Sequence, residues 1–267
     1  MSVEIHPTAI VSDGATIGEG VRIGPYSRVE RDVVIGVGCV LESHVLIGRN
    51  TTMGEGNFIG HGAVLGSPPQ DKKFDPESKT GLIIGNNNSF REYCTVNRAT
   101  GHEADTIIGS GNMFMTTCHV GHNCKVGDET VLSNFAMLAG HVEVQDWAII
   151  GGMVPIPQFT RIGKGSYLGG FSAIRLDLPP FFRAAGFPGG PAGINRVGME
   201  RRGVPEESIR AVHRAYKTLY FSKLTQEQAL EKIAGESGEI EEIRLLVDFI
   251  RHSKIGILRP RSDRGID

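Results

Sequence analysis

The sequence predicts a mainly β protein, a prism of short parallel strands built on a six-residue repeat and followed by a C-terminal α-helical domain. Three observations predict it. An aliphatic residue recurs at every sixth position over most of the chain, 36 glycines are spread throughout rather than clustered, and beyond Ile174 the period of six gives way to helical spacing.

The column begins Ile5, Val11, Ile17, Ile23, Val29, Ile35, Leu41, Ile47, Met53, Ile59 and Leu65. It resumes at Ile84, Phe90 and Val96, then runs from Ile108 through Phe114 and Val120 to Ile174. Six is a multiple of the strand period of two and not of the helical 3.6, so each repeat is one short strand plus a turn. Three repeats make one triangular coil, and each column residue stacks inside the prism on its equivalent one coil later. Gly after the column residue, with Asn and Asp in the same turns, supplies backbone conformations that a β-carbon would hinder.

Two interruptions break the column. Residues Gly66 to Gly81, with Ser-Pro-Pro-Gln-Asp-Lys-Lys-Phe, are polar and proline-rich and are expected to bulge outward as a loop. Arg98 to Thr106 form a second excursion that keeps the six-residue phase on returning. Long loops on a rigid scaffold are where function tends to sit. Leu178 to Gly193, rich in Pro and Gly, reads as a linker. Pro205 is suited to the first position of a helix carrying Ile209, Val212, Tyr216, Leu219 and Tyr220. Thr225 to Gln228 reads as a capping box opening a second helix, and Ile240, Ile243, Val247 and Ile250 mark a third. The expected domains are therefore 1–190, the parallel β-helix with external loops near 66–81 and 98–106, and 191–267, the helical domain.

Composition bounds the function. With 267 residues, 40% of them hydrophobic and 22% charged, the chain has the make-up of a folded globular protein. A formal charge of −2 gives no overall attraction to nucleic acid. No apolar run is long enough to span a bilayer and no leader is evident, so a cytoplasmic protein is expected. Cys39, Cys94, Cys118 and Cys124 form no CxxC pair, which fits buried, reduced thiols.

The chemistry concentrates on histidine. Eighteen residues after His122 comes Gly140, so the coil geometry places His122, Gly140 and His141 together, with His119 on the same hexad. Three readings are open on the residues alone. His122 is a general base that deprotonates a hydroxyl or amine for attack on a thioester, a task suited to an imidazole titrating near ~6.5. Alternatively the histidines bind zinc, as in the hexapeptide-repeat carbonic anhydrases. In the third, the prism is a non-catalytic sugar-nucleotide-binding scaffold.

A resemblance separates them. His119-Val120-Gly121-His122-Asn123-Cys124, Leu138-Ala139-Gly140-His141, Ile149-Ile150-Gly151-Gly152-Met153, Pro69-Gln70-Asp71, and Asn195 followed by Arg201-Arg202-Gly203 together resemble the acyl-carrier-protein:UDP-N-acetylglucosamine O-acyltransferases, which make the first intermediate of lipid A. The likeness extends over nearly the whole chain. It implies a left-handed parallel β-helix, assembly as a homotrimer with sites between subunits, and two substrates, an acyl carrier protein and UDP-N-acetylglucosamine. No separate cofactor is implied, since phosphopantetheine arrives on the carrier, and no metal.

By the same resemblance His122 is the general base that activates the 3-hydroxyl of the sugar toward a 3-hydroxyacyl thioester, and the Gly140 N–H faces the oxyanion. His119 and His141 are substrate-binding positions, His141 holding the acceptor sugar. Asp71 and Lys73 contact sugar or donor, with Gln70 beside them. Asn195 and Arg202, with Arg201 and Gln158, take the uridine and phosphate end, where a planar guanidinium suits a diphosphate. Gly170 matches the position that sets acyl length. Arg201, Arg202, Arg210, Arg214, Lys217 and Lys223 offer a basic surface to an acidic carrier protein. The sister N-acyltransferase is disfavoured, because it carries a uridine-binding domain ahead of its prism and here the repeat starts at Ile5.

Three positions depart from the family pattern. Asn123 stands where many members have Asp; it can orient an imidazole but cannot stabilise its protonated form by charge. Pro157 replaces a histidine and Val197 an acidic residue. An acceptor with an amine in place of the 3-hydroxyl, giving an amide product, is the alternative these changes leave open.

Overall fold

The computed structural model describes residues 2–102 and 104–260. Strands of mostly two residues follow one another at six-residue intervals, and each pairs in parallel with the third strand after it. The result is three sheets of 11, 8 and 8 strands along the faces of a triangular prism. Register is one coil per eighteen residues, as in Glu4↔Arg22 and Ile5↔Ile23. Across the first interruption Leu65 pairs with Val96. Across the second, Val96 pairs with Val120. The extra residues are therefore looped out at one corner while the column stays aligned, as the phase predicts.

The column residues from Ile23 to Ile174 are buried, whereas Ile5, on the first coil with no coil beneath it, is 46% exposed. A second interior column, two residues ahead of the first, was not legible as a hydrophobic pattern. It includes Ser27, Cys39, Thr51, Asn57, Ala63, Asn88, Cys94, Asn112, Cys118, Cys124, Thr130 and Ala136, all buried. The four cysteines all belong to it and all are free thiols. Its asparagines form a ladder. Asn57 Oδ1 accepts from the N–H and Nδ2 of Asn88, Asn88 Oδ1 accepts from the N–H and Nδ2 of Asn112, and Asn112 Oδ1 accepts from the N–H and hydroxyl of Thr130. Each buried amide is satisfied by its equivalent one coil away, which is what lets polar side chains line this corner.

Glycine after the column residue serves close approach rather than an unusual backbone angle. A β-carbon on Gly36 would lie 2.4 Å from the Gly54 carbonyl carbon of the next coil. The left-handed turn positions are instead held largely by residues with side chains, among them Asn123 at φ 58° and His141 at φ 62°.

The expected linker at 178–193 is a β-hairpin. Phe182–Ala185 pairs in parallel with Tyr167–Leu168 and antiparallel with Gly190–Ile194. Its Pro and Gly content suggested loop, but Phe181, Phe182 and Ala184 are buried, Phe181 beside Trp147 of the prism and Phe182 beside Tyr216 and Tyr220 of the tail, and that burial decides the conformation. Among the described residues four helices follow, not three: α1 (Arg196–Arg201), α2 (Glu206–Phe221), α3 (Gln226–Ser237) and α4 (Glu241–Arg251). Pro205 is the residue just before α2, and both halves of the Thr225–Gln228 capping box are present. The tail folds back onto the prism. Buried Asp177 accepts from the Arg161 N–H at 2.8 Å and from the Ser253 hydroxyl at 2.7 Å, and the Arg161 guanidinium lies 4.2 Å over the Phe249 ring.

Candidate active site

The corner between the second and third sheets carries the histidines. Val120 and Cys124 point inward and are buried, so the intervening turn presents His122 and Asn123 on the outer surface. One coil on, the His141 N–H donates to the His122 carbonyl at 2.9 Å. The two rings meet edge to face at 5.2 Å between centroids, and His141 stacks on Phe159 at 4.9 Å with 16° between planes. A β-carbon on Gly140 would lie 2.5 Å from Cε1 and Nε2 of His122, so only glycine admits the imidazole at this distance. The Gly140 N–H has no protein acceptor among the described residues. His122, Gly140 and His141 are thus together, as the eighteen-residue coil predicts.

Asn123 sets the tautomer of His122. Its Nδ2 donates to the Thr100 carbonyl at 3.1 Å and its Oδ1 accepts from the Thr100 N–H at 3.0 Å, which fixes which end of the amide is oxygen. That same Oδ1 lies 2.8 Å from His122 Nδ1. An amide oxygen only accepts, so Nδ1 carries the proton and Nε2 is left with its lone pair. The second excursion, through Thr100, is therefore what orients the His122 ring. Sequence reasoning singled out Asn123 but missed Thr100 and the ring support from Phe159; the only signal for Thr100 was its place in a loop interrupting the column.

His119 stands on the outer face of the strand one turn earlier, half-buried, with Nδ1 2.8 Å from the Thr95 hydroxyl. Burial first, and then the neighbouring His122, hold its pKa below the ordinary value. The same two causes in the same order lower His141. Both are accordingly biased toward neutral imidazole, able to accept or donate a hydrogen bond near neutral pH. Among the described residues, no group of three His, Cys, Asp or Glu side chains could hold a metal ion.

The remaining predicted residues are spread over the external loop, the histidine corner, the opposite edge of the second sheet and the tail. Asp71 and Lys73 sit on the external loop, where Asp71 Oδ1 accepts from the Lys73 N–H at 2.9 Å; Lys73 and Gln70 are exposed. Gln158 is exposed beside Phe159 on the histidine corner, after the equally exposed Pro157. Gly170 is at the opposite edge of the second sheet, where a β-carbon would come 3.3 Å from the Gly152 carbonyl oxygen. The Asn195 side chain is committed to the fold, capping α1 by accepting from the Gly198 N–H and donating to the Gly165 carbonyl at 2.9 Å. Arg202 is ion-paired with Glu129 and lies over Trp147, whereas Arg201 is exposed. Val197 is exposed on α1.

The chain and its fold have known relatives. Residues 177–258 match the family model described as UDP-N-acetylglucosamine O-acyltransferase, domain 2. The chain is 46% identical over 260 residues to the acyl-[acyl-carrier-protein]–UDP-N-acetylglucosamine O-acyltransferase of Burkholderia lata, covering 96% of this chain and 99% of that protein. Its counterpart from Thiobacillus denitrificans is 43% identical with the same coverage. The chain belongs to this acyltransferase family. Among solved structures, LpxA from Acinetobacter baumannii superposes with a TM-score of 0.92 at 40% identity, covering 96% of this chain and 99% of that one. The Arabidopsis UDP-N-acetylglucosamine acyltransferase gives 0.85 at 31% identity, covering 95% and 99%. The prism is accordingly the left-handed parallel β-helix of these enzymes, with their helical tail.

Proposed function

We propose that the protein transfers an acyl group from acyl carrier protein to the 3-hydroxyl of UDP-N-acetylglucosamine, the first step of lipid A synthesis. The observation that carries the mechanism is the Thr100–Asn123–His122 relay, which leaves Nε2 of His122 unprotonated and beside Gly140. Nε2 takes the proton of the sugar hydroxyl as its oxygen attacks the thioester carbonyl. The carbonyl oxygen gains negative charge and turns to the Gly140 N–H, a donor of the kind worth ~10²–10³ in rate. On collapse the C–S bond breaks, the new C–O bond remains, and the imidazolium returns its proton to the departing thiolate. Asn123 holds the ring throughout but adds no counter-charge. The enzyme needs no cofactor of its own, since phosphopantetheine is part of the donor.

Assembly as a homotrimer completes this reading. Asp71 and Lys73 sit on the external loop, Arg201 on the helical tail and Gly170 on the opposite edge of the second sheet, and neighbouring copies would bring such residues to His122. A ladder of exposed apolar side chains on the edge between the first and second sheets, Phe135, Met153 and Phe171, supports contact between copies. His141 and Gln158 then hold the acceptor sugar end, His119 flanks the base, and Asn195, Arg201 and Arg202 line the nucleotide end. Arg202 would first have to exchange Glu129 for phosphate. Gly170, where no side chain fills the groove, sets acyl length. The basic residues of α2, all exposed, dock the carrier, and a cytoplasmic location follows from that partner.

The decisive experiment is a transfer assay with acyl carrier thioesters, offering UDP-N-acetylglucosamine and its 3-amino analogue to the wild type and to His122→Ala. Ester formation lost in the variant is expected. Full activity in the alanine variant overturns His122 as base, and amide formation alone moves the acceptor to the amino sugar.

A further inference from the structure

Beneath the external loop, on the same edge as the histidines but toward the N-terminus, lies a cavity of about 580 Å³. Its lining contains four arginines, Arg28, Arg31, Arg49 and Arg98, against two carboxylates, Asp13 and Glu30. Two of the arginines already have carboxylate partners, Arg28 in Glu30 and Arg31 in Asp32 at 3.8 Å. Glu30 is already engaged, with Arg28 at 3.4 Å and with the Arg49 N–H, which donates to Oε2 at 3.1 Å.

Arg98 is the unusual member. It is 1% exposed, the largest fully buried side chain described, yet its Nε and Nη1 find no hydrogen-bond acceptor among the described residues. One face of the guanidinium lies 5.2 Å from the Phe74 ring centroid, which holds it in place without satisfying a donor. Its backbone is locked as well, the Arg98 N–H donating to the Ser67 carbonyl at 3.0 Å and the Ala99 N–H to Gly81. A rigid, buried cation with idle donors is costly unless something anionic meets it. Arg49, on the opposite side, donates to the Pro76 carbonyl of the external loop and raises the local positive charge further.

We propose that this cavity is an anion site for a phosphate-class oxyanion, held by the Arg98 fork and by Arg49. Phosphate suits it because a tetrahedral anion accepts from two guanidinium planes at once, and Arg49 and Arg98 are the two arginines of the lining without a carboxylate partner among the described residues. Since Arg98 carries Phe74 and Arg49 carries Pro76, a bound anion ties the loop bearing Asp71 and Lys73 to the prism. The oxyanion has three possible sources: free phosphate, a nucleotide diphosphate, or the phosphodiester of a carrier prosthetic group.

The test is thermal denaturation of the full-length protein with inorganic phosphate, against chloride at equal ionic strength. A saturable rise in Tm is expected with phosphate only, and it should vanish in Arg98→Met, which keeps the stem and removes the charge. Arg49→Gln, at a half-buried position, serves if the Met variant fails to fold, and should weaken the apparent phosphate Kd about tenfold. Equal shifts with phosphate and chloride overturn the site, as does a phosphate response unchanged in Arg98→Met or in Arg49→Gln. Competition identifies the source: displacement of phosphate by UDP marks the diphosphate, displacement by phosphopantetheine marks the carrier group, and neither marks free phosphate.

Discussion

The imidazole of His122 rests directly against Gly140, so close that a β-carbon there would come 2.5 Å from Nε2. The base and oxyanion donor proposed above are therefore one packed unit, and changing either displaces the other. Gly140→Ala should lower kcat by ~10²–10³, the worth of a misplaced oxyanion donor. Far-ultraviolet circular dichroism should be unchanged, because the turn lies on the outer surface. Wild-type turnover in that variant would remove the Gly140 N–H from the mechanism.

Asn123 gives a test that a structural role alone would not pass. Asn123→Asp places a carboxylate beside Nδ1, which favours imidazolium and should move the acid limb of the kcat/KM profile to higher pH. The same change forfeits the donor to the Thr100 carbonyl. Asn123→Ala should cut kcat by ~10–100-fold, part of the usual worth of a positioned base. It should also cost ~1–2 kcal/mol of stability, since φ is 58° at this residue. A profile that does not move in the Asp variant would mean that Nδ1 does not face this side chain in solution.

Stability should fall on mild acidification. The folded state holds the pKa of His119 below its ordinary value of 6.5, through burial first and His122 second. The unfolded chain therefore binds the proton more tightly, and stability present above that pH is lost as pH falls below it. Tm measured from pH 8 to 5 should drop less steeply in His119→Gln, which keeps a hydrogen bond to Thr95 but does not titrate. Superimposable curves would assign the acid sensitivity to other groups.

The asparagine ladder should matter more than a surface amide. Asn112→Ala leaves the N–H and hydroxyl of Thr130 without their acceptor, and both are buried. The loss in urea unfolding should be at least ~2 kcal/mol at unchanged m-value. A loss under ~0.5 kcal/mol would mean that the corner repacks around the gap.

The period of six and the external loops were legible because each repeat is local. Ile47, Ile59 and Val120 announce their inward direction from nearest neighbours alone. Asn57, Asn88 and Cys118 point into the same interior, but their varied polarity conceals them until the coil above supplies a partner. The hairpin at 182–194 was hidden for the opposite reason: its composition favours loop, and only the returning helix α2, whose Tyr216 and Tyr220 rings lie 5.2 and 5.8 Å from Phe182, makes its burial worthwhile.

By itself the sequence determined the coil, its eighteen-residue rise and hence the juxtaposition of His122, Gly140 and His141. Only the tertiary structure decided which nitrogen of His122 is free, because Thr100 reaches Asn123 through an excursion whose path no periodicity describes. It also decided that Asn195 serves as a helix cap and that Arg98 is buried under Phe74. Periodic contacts repeat a short-range rule, whereas these depend on where a loop or tail returns, and that is set by the surface the whole prism offers.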